Sequence, residues 1–184
     1  MKGNEMKNFI QLKTFDPETK DLNVVIETPR GSRNKYDYDP ETGAFKLAHV
    51  LAEGLTFPND FGFIPSTLAE DGDPLDVMVL LDSPIAVGCV LTARLIGVIE
   101  AEQTEVDGTR CRNDRLLAVA THAHVHSEVN SIADLDKKVV DEIEHFFVYY
   151  NERRGKKFKP LGRYGPKRAM KLVKQSMKAF TKKS

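Results

Sequence analysis

The 184-residue sequence has no tryptophan and only two cysteines, Cys89 and Cys111. Two thiols, one of them inside an apolar run, exclude a disulfide-framed secreted module, and they point to a reducing, cytoplasmic compartment with both cysteines structural. The longest uncharged apolar stretch, residues 83–93, falls well short of the roughly 20 residues that a membrane-spanning helix requires. Residues 1–10 carry no apolar segment of the kind found in secretory signals, so the sequence leads us to expect a soluble, unexported protein without a membrane partner. Internal repeats, low-complexity tracts and Gly/Ser linkers are also missing. At 20.7 kDa the chain is expected to form one domain over residues 1–184, burying about 70% of the surface its unfolded form exposes.

Acidic residues are absent after Glu152, whereas 13 of the 27 Lys and Arg residues lie between Arg153 and Lys183. The formal net charge of zero therefore hides a body of net −13 over residues 1–152, with 14 basic against 27 acidic groups. Such segregation fits either a nucleic-acid-binding tail or a cationic segment folded onto an acidic body.

The first two thirds read as β-structure. Residues 22–27 (LNVVIE), 77–81 (VMVLL), 89–99 and 116–120 (LLAVA) are apolar and β-rich. The turn Asp39-Pro40-Glu41-Thr42-Gly43 separates residues 35–38 from 44–47 as in a hairpin, and Asp107-Gly108 marks a second hairpin turn. The last third changes period. Ser131-Ile132-Ala133-Asp134 resembles a helix-start box, after which Val139, Ile143, Phe146 or Phe147 and Tyr150 recur at three-to-four spacing up to Gly155. Tyr150 thus belongs to the body-facing stripe. A second amphipathic helix is expected after Pro166, with Met170, Val173, Met177 and Phe180 opposite a lysine face.

The segment Glu70-Asp71-Gly72-Asp73-Pro74-Leu75-Asp76 places three aspartates within six residues, directly before an apolar strand. Two carboxylates about 4 Å apart repel by roughly 4 kcal/mol at an effective dielectric near 20, so convergence calls for protonation or a cation. All-oxygen ligation suits Mg²⁺, Mn²⁺ or Ca²⁺ rather than zinc. The bland alternative is a solvated acidic turn. An EF-hand fits poorly, because counting from Asp71 the sixth position is Asp76 instead of glycine and the twelfth is Asp82 instead of glutamate.

The string Asp71-Gly72-Asp73-Pro74-Leu75-Asp76-Val77 resembles the D-G-D-P-x-D-V signature of the family I soluble inorganic pyrophosphatases. The preceding Phe57-Pro58-Asn59-Asp60-Phe61-Gly62-Phe63-Ile64-Pro65 is similar to that family's aromatic block. The resemblance extends over residues 22–180. It implies a mainly β protein with C-terminal helices, an α+β chain in which a small five-stranded OB-like barrel is flanked by two helices. The implied activity is Mg²⁺-dependent hydrolysis of pyrophosphate to two phosphates, with Mn²⁺ as a substitute metal, and the implied assembly is a homo-oligomer, a hexamer in bacterial members. By the same resemblance Asp71 and Asp76 ligate metal, Glu27 stands at the rim of the metal cluster, and Asp73 activates the attacking water. Lys35 and Arg115 hold phosphate oxygens, and Tyr150 offers its hydroxyl to the substrate.

The departures from the family pattern fall at functional positions. His49 stands where the family has arginine, Phe57 and Phe61 replace cleft tyrosines, Asn151 replaces a lysine and Asp37 a glutamate. The second acidic cluster is replaced by a longer hairpin whose candidates are Glu102, Glu105, Asp107, Asn113 and Asp114. Because neighbouring strand residues face opposite sides, only one of Asn113 and Asp114 points inward; Asp114, with Glu102, is the expected ligand.

Two further functional classes stay open at this stage. One is a diverged, non-catalytic metal or phosphate binder. The other, less favoured, is a nucleic-acid-binding OB-like barrel with a basic tail, which the lack of tryptophan and the packed aromatics of the tail argue against. His122, His124 and His126, two residues apart, would share one face if extended and could form a zinc site; surface or subunit-contact histidines are the plainer expectation.

Overall fold

The computed structural model describes residues 8–183. It comprises β1 (Leu22–Thr28), β2 (Asn34–Asp39), β3 (Ala44–Val50), β4 (Asp60–Ile64), β5 (Leu75–Leu80), β6 (Val90–Thr104), β7 (Arg110–Arg112), β8 (Arg115–Ala120), α1 (Lys137–Glu152), β9 (Lys157–Tyr164) and α2 (Pro166–Lys183). The chain is mainly β with two long helices, as expected. The first seven residues of the 1–10 segment examined for a signal lie outside the described residues. No helix among the described residues is long and apolar enough to cross a membrane.

The apolar runs become strands because they pair on both sides. β1 is antiparallel to β4 and to β6, β4 is antiparallel to β5, β5 is parallel to β8, and β8 is antiparallel to β6. Hydrogen bonding therefore passes through five strands and returns to β1. Every residue of β8 is buried, and β5 is buried from Val77 to Leu80, which explains why these strands read as continuous apolar runs instead of alternating ones. Gly62 permits the closest approach in this circuit: a Cβ there would sit 1.9 Å from the Val25 carbonyl oxygen. β2 and β3 form a separate hairpin through the predicted Asp39–Gly43 turn, with Gly43 at φ +67°.

The far half of the 15-residue β6 pairs with β7 and, on its other edge, with β9. β9 was not foreseen. Its sequence, KFKPLGRY, offers one buried aromatic, Phe158, between lysines, and Pro160 and Gly162 flank an irregularity in its pairing with β6.

The helix-start box at Ser131 forms, but it caps a short 3-10 turn at Ile132–Asp134. Leu135 and Asp136 then adopt extended conformations, and α1 begins at Lys137 with the Asp136 carboxylate accepting from the Lys138 amide at 2.8 Å. Its buried face carries Ile143, Phe146, Phe147 and Tyr150, as the periodicity predicts, but it starts at Val140 instead of the expected Val139, which is only partly buried. Phe57, Phe61 and Phe158 pack against that face with ring centroids 5.0–5.9 Å from Phe146 or Phe147.

The basic tail is folded onto the acidic body. Lys156 pairs with Glu105, Arg163 with Asp141 and Glu144, and Arg168 with the buried Glu100. α2 buries Ala169, Val173 and Ser176, and the Ser176 hydroxyl both donates to the Leu68 carbonyl and accepts from the Leu68 amide, at 2.7 Å each. This contact anchors α2 against the loop leading into the acidic elbow.

Residues 121–127 form turns, not an extended strand, so the three histidines share no face. His122 and His124 are exposed, and the amides of His124 and Val125 donate to Asp82 at 2.8 and 3.1 Å. The zinc alternative is therefore corrected in favour of surface histidines.

Candidate active site

One cavity of about 580 Å³ opens between the β2–β3 hairpin, the acidic elbow, the mouth formed by β6 and β8, and the C-terminal turns of α1. Its floor is aromatic. Phe57 and Phe61 are almost fully buried there, and the Lys35 ammonium sits 5.1 Å above the Phe61 ring.

The elbow owes its shape to short local contacts. Gly72 adopts φ +95°, the Ala69 amide donates to the Asp73 carbonyl at 2.7 Å, and the Asp73 amide donates to the Asp71 carboxylate at 3.2 Å. The Leu75 amide donates at 3.0 Å to the buried Thr67 hydroxyl, which starts β5 and carries Asp76 into the cavity. Asp71, Asp73 and Asp76 all line it. Burial, then the charge of Asp76, pushes Asp71 up to about 6, and the same two causes raise Asp73.

Opposite the elbow, buried Glu27 on β1 accepts from the Tyr38 amide at 2.8 Å and from the Lys35 ammonium at 3.3 Å. Burial raises Glu27 to about 7 despite Lys35 beside it. For Lys35 burial works against the charge, yet Glu27 and Asp37 outweigh it and hold the ammonium above its ordinary range. Arg115, at the start of β8, is buried against the rings of Phe147 and Phe158 at 5.0 and 5.5 Å. One terminal nitrogen of its guanidinium donates both to Asp76 and to Asn113, while its Nε is buried without a partner among the described residues.

The structure thus brings together Glu27, Lys35, Asp71, Asp73, Asp76, Arg115 and Tyr150 of the predicted set. It does not bring Asp114 or Glu102 into the cavity. The Asp114 carboxylate turns away, accepting from the Ala101 amide at 2.9 Å and from Arg112 at 2.8 Å. Asn113 takes the inward position instead, its amide nitrogen donating to Gln103 Oε1 at 3.1 Å. Glu102 points to the other face of β6, toward Arg110 at 3.9 Å. The inward residues here are Gln103, near the end of β6, and Glu105, just beyond it, joined by a 2.5 Å hydrogen bond. Period-two alternation links residues 103 and 105, but only the pairing with β7 and β9 decides which face they take.

Tyr150 enters from α1 with its hydroxyl 2.5 Å from His49 Nε2. Its hydroxyl is raised above the ordinary phenol range by burial, while burial and then Arg154 depress His49. Arg154 and Lys156, just beyond the helix, complete the wall; Arg154 was missed by sequence reasoning, although it lies four residues after Tyr150. Asn151 is buried and donates to the Phe147 carbonyl at 2.8 Å, a helix-internal contact.

Among the described residues no three His, Cys, Asp or Glu side chains form a ready-made metal cage. The donor set nevertheless suits a hard dication. The charge of Asp76 raises the pKa of both Asp71 and Asp73, and among the described residues the one ion pair at the elbow is that of Asp76 with Arg115. A cation entering between these carboxylates would relieve that repulsion.

A family profile described as inorganic pyrophosphatase matches residues 24–181. Among curated relatives, the chain is 44% identical over 140 residues to an inorganic pyrophosphatase of Halalkalibacterium halodurans, covering 76% of this chain and 83% of the relative. It is 40% identical to one of Synechocystis over 89% of this chain and 94% of the relative. Among solved structures, the inorganic pyrophosphatase of Thermus thermophilus superposes with a TM-score of 0.85 at 37% identity, covering 95% of this chain and 99% of that one. With its signature elbow inside the matched region, its strands and helices superposed on a solved member and its aspartates lining one cavity, the chain belongs to the inorganic pyrophosphatase family.

Proposed function

We propose that the protein hydrolyses inorganic pyrophosphate to two phosphates, assisted by a divalent metal ion for which Mg²⁺ is our choice and Mn²⁺ a substitute. The observation that carries this is the meeting of three aspartates with two buried cations in one cavity of a chain of this family.

Asp71 and Asp76 would hold the metal, with Glu27 at the rim. When bound, the dication would supply charge neutralisation at the phosphoryl oxygens and lower the pKa of the nucleophilic water. Asp73 lies between its two neighbours on the same elbow with its pKa raised by burial and Asp76, a shift in the direction that strengthens a carboxylate as a proton acceptor. Lys35 and Arg115 face the carboxylates and would hold phosphoryl oxygens, so positioning and charge neutralisation fall to residues that are already buried and braced. The Tyr150 hydroxyl, braced by His49, would donate to substrate. We further read the closed five-strand circuit as an OB-like barrel, the assembly as a homo-oligomer and the compartment as cytoplasmic.

A second reading, a diverged non-catalytic binder, is favoured by the neutral amides of Gln103 and Asn113 and the hydroxyl-free Phe57 and Phe61 in the cleft. Colorimetric phosphate release with pyrophosphate and Mg²⁺ separates the two. Hydrolysis predicts turnover in the wild type and loss of at least about 100-fold in Asp73→Asn; equal, near-background rates for both proteins sink it.

A further inference from the structure

Three of the four Lys and Arg side chains that line the cavity are already paired. Lys35 is held by Glu27 and Asp37, Arg115 by Asp76, and Lys156 by Glu105 at 2.6 Å. Arg154 is the fourth, and among the described residues no carboxylate pairs with it.

The helix stop fixes its place. Gly155 adopts φ +71°, and the Lys156 amide turns back to the Asn151 carbonyl at 3.0 Å, closing α1 in a left-handed cap. Arg154 is thereby set one helical turn after Tyr150, where positions four apart meet. Its guanidinium lies 5.3 Å from the Tyr150 ring centroid, and Nη1 donates to the Tyr150 hydroxyl at 3.4 Å. From the other side His49 Nε2 meets the same hydroxyl at 2.5 Å.

A guanidinium carries five N–H donors, and this one commits a single weak bond. Its planar fork matches a phosphoryl group, which it can grip by two parallel hydrogen bonds. Engaging an anion costs Arg154 no ion pair, whereas Lys35 and Arg115 are each already paired with a carboxylate. Lys35 and Arg115 bear electrostatically on Tyr150, and Lys35 also interacts with Asp76.

We propose that Arg154 is a substrate-binding residue: beside Tyr150 and His49 it grips a phosphoryl group of the substrate with the N–H donors that it has not committed elsewhere. This rests on the pyrophosphate reading above. The test compares wild type, Arg154→Ala, Arg154→Lys and, as a control on the neighbouring exposed position outside the cavity, Arg153→Ala. Calorimetry with the non-hydrolysable methylenediphosphonate in the presence of Mg²⁺ measures affinity, and steady-state kinetics with pyrophosphate measure KM and kcat. Loss of a charge-assisted contact predicts that Arg154→Ala weakens the diphosphonate and raises KM by about 10- to 100-fold, with partial recovery in the lysine variant and none of this in Arg153→Ala. Diphosphonate affinity within twofold of wild type in a folded Arg154→Ala overturns the proposal, as does a fall in kcat alone, which would make Arg154 a support for Tyr150. A wild type that binds the diphosphonate but releases no phosphate defeats the hydrolysis reading, and the affinities of the variants then still decide for or against Arg154.

Discussion

Replacing Asn113 by aspartate tests the reversed register of the β7–β8 junction directly. One nitrogen of Arg115 donates to both Asp76 and Asn113. Two acceptors of a single N–H-bearing atom lie within about 6 Å of one another, since each hydrogen bond spans roughly 3 Å. A dication held by Asp76 would therefore stand about 5 Å from a carboxylate at position 113. Their attraction is about 1.7 kcal/mol in water-like surroundings and about 6.6 kcal/mol at an effective dielectric of 20. Repulsion between the two carboxylates and the nearby Arg115 charge cancel part of this, leaving roughly 1.5–3 kcal/mol. Asn113→Asp is accordingly expected to tighten Mn²⁺ binding by about 10- to 100-fold in a spin-resonance or calorimetric titration. Asp114→Asn should leave that affinity within twofold and instead cost about 1 kcal/mol of stability, because the Asp114 carboxylate is engaged by Arg112 and the Ala101 amide. The reasoning is refuted if Asp114→Asn weakens Mn²⁺ binding while folded Asn113→Asp leaves it unchanged.

Three further tests address the frame of the site. Without metal, Glu27 at about 7 binds a proton in the folded state that it has released in the unfolded one, so its share of stability is complete below about pH 4.5 and is lost as pH rises through 7. Urea unfolding in chelator should show stability falling over that window, by at most about 3 kcal/mol from this group, with Asp71 adding in the same direction and Glu27→Gln flattening the slope. Asp60 is fully buried, with Oδ1 accepting from the Arg30 and Ile85 amides at 3.2 and 3.1 Å and Oδ2 unpartnered among the described residues. Burial raises its pKa, so Asp60→Asn should stabilise the fold by about 1 kcal/mol at pH 7, a gain that disappears below about pH 4 in the same urea assay. Gly62→Ala should destabilise by at least about 2 kcal/mol by thermal unfolding, since its methyl group collides with the Val25 backbone and parts β1 from β4.

What could be read from the sequence was local, and what could not was set by distant pairing. The β1, β5, β6 and β8 runs were legible because burial on both faces leaves long apolar segments, and the acidic elbow because Gly72 and Pro74 shape it within six residues. β9 was not, because Lys157, Lys159, Pro160 and Gly162 have poor strand propensity and their strand pairing is with the far end of β6, some 60 residues earlier. The inward choice between Asn113 and Asp114 failed for the same reason. Period two says that neighbours face opposite ways, but the phase comes from Ala101 across the ladder, whose carbonyl accepts from the Asn113 amide at 3.0 Å and whose amide donates to the Asp114 side chain at 2.9 Å. Once Ala101 spends its backbone groups on that pair, the aspartate is bound beside the strand and the amide is left to face Arg115. The inward positions 103 and 113 of the second wall are therefore neutral amides where the elbow is acidic, and Asp37 and Glu105, which also line the cavity, are each paired with a lysine. On the proposed reading, Asp71 and Asp76 would gather metal, Lys35 and Arg115 would meet the phosphoryl oxygens, and Arg154, which no carboxylate pairs among the described residues, would take a phosphoryl group beside Tyr150.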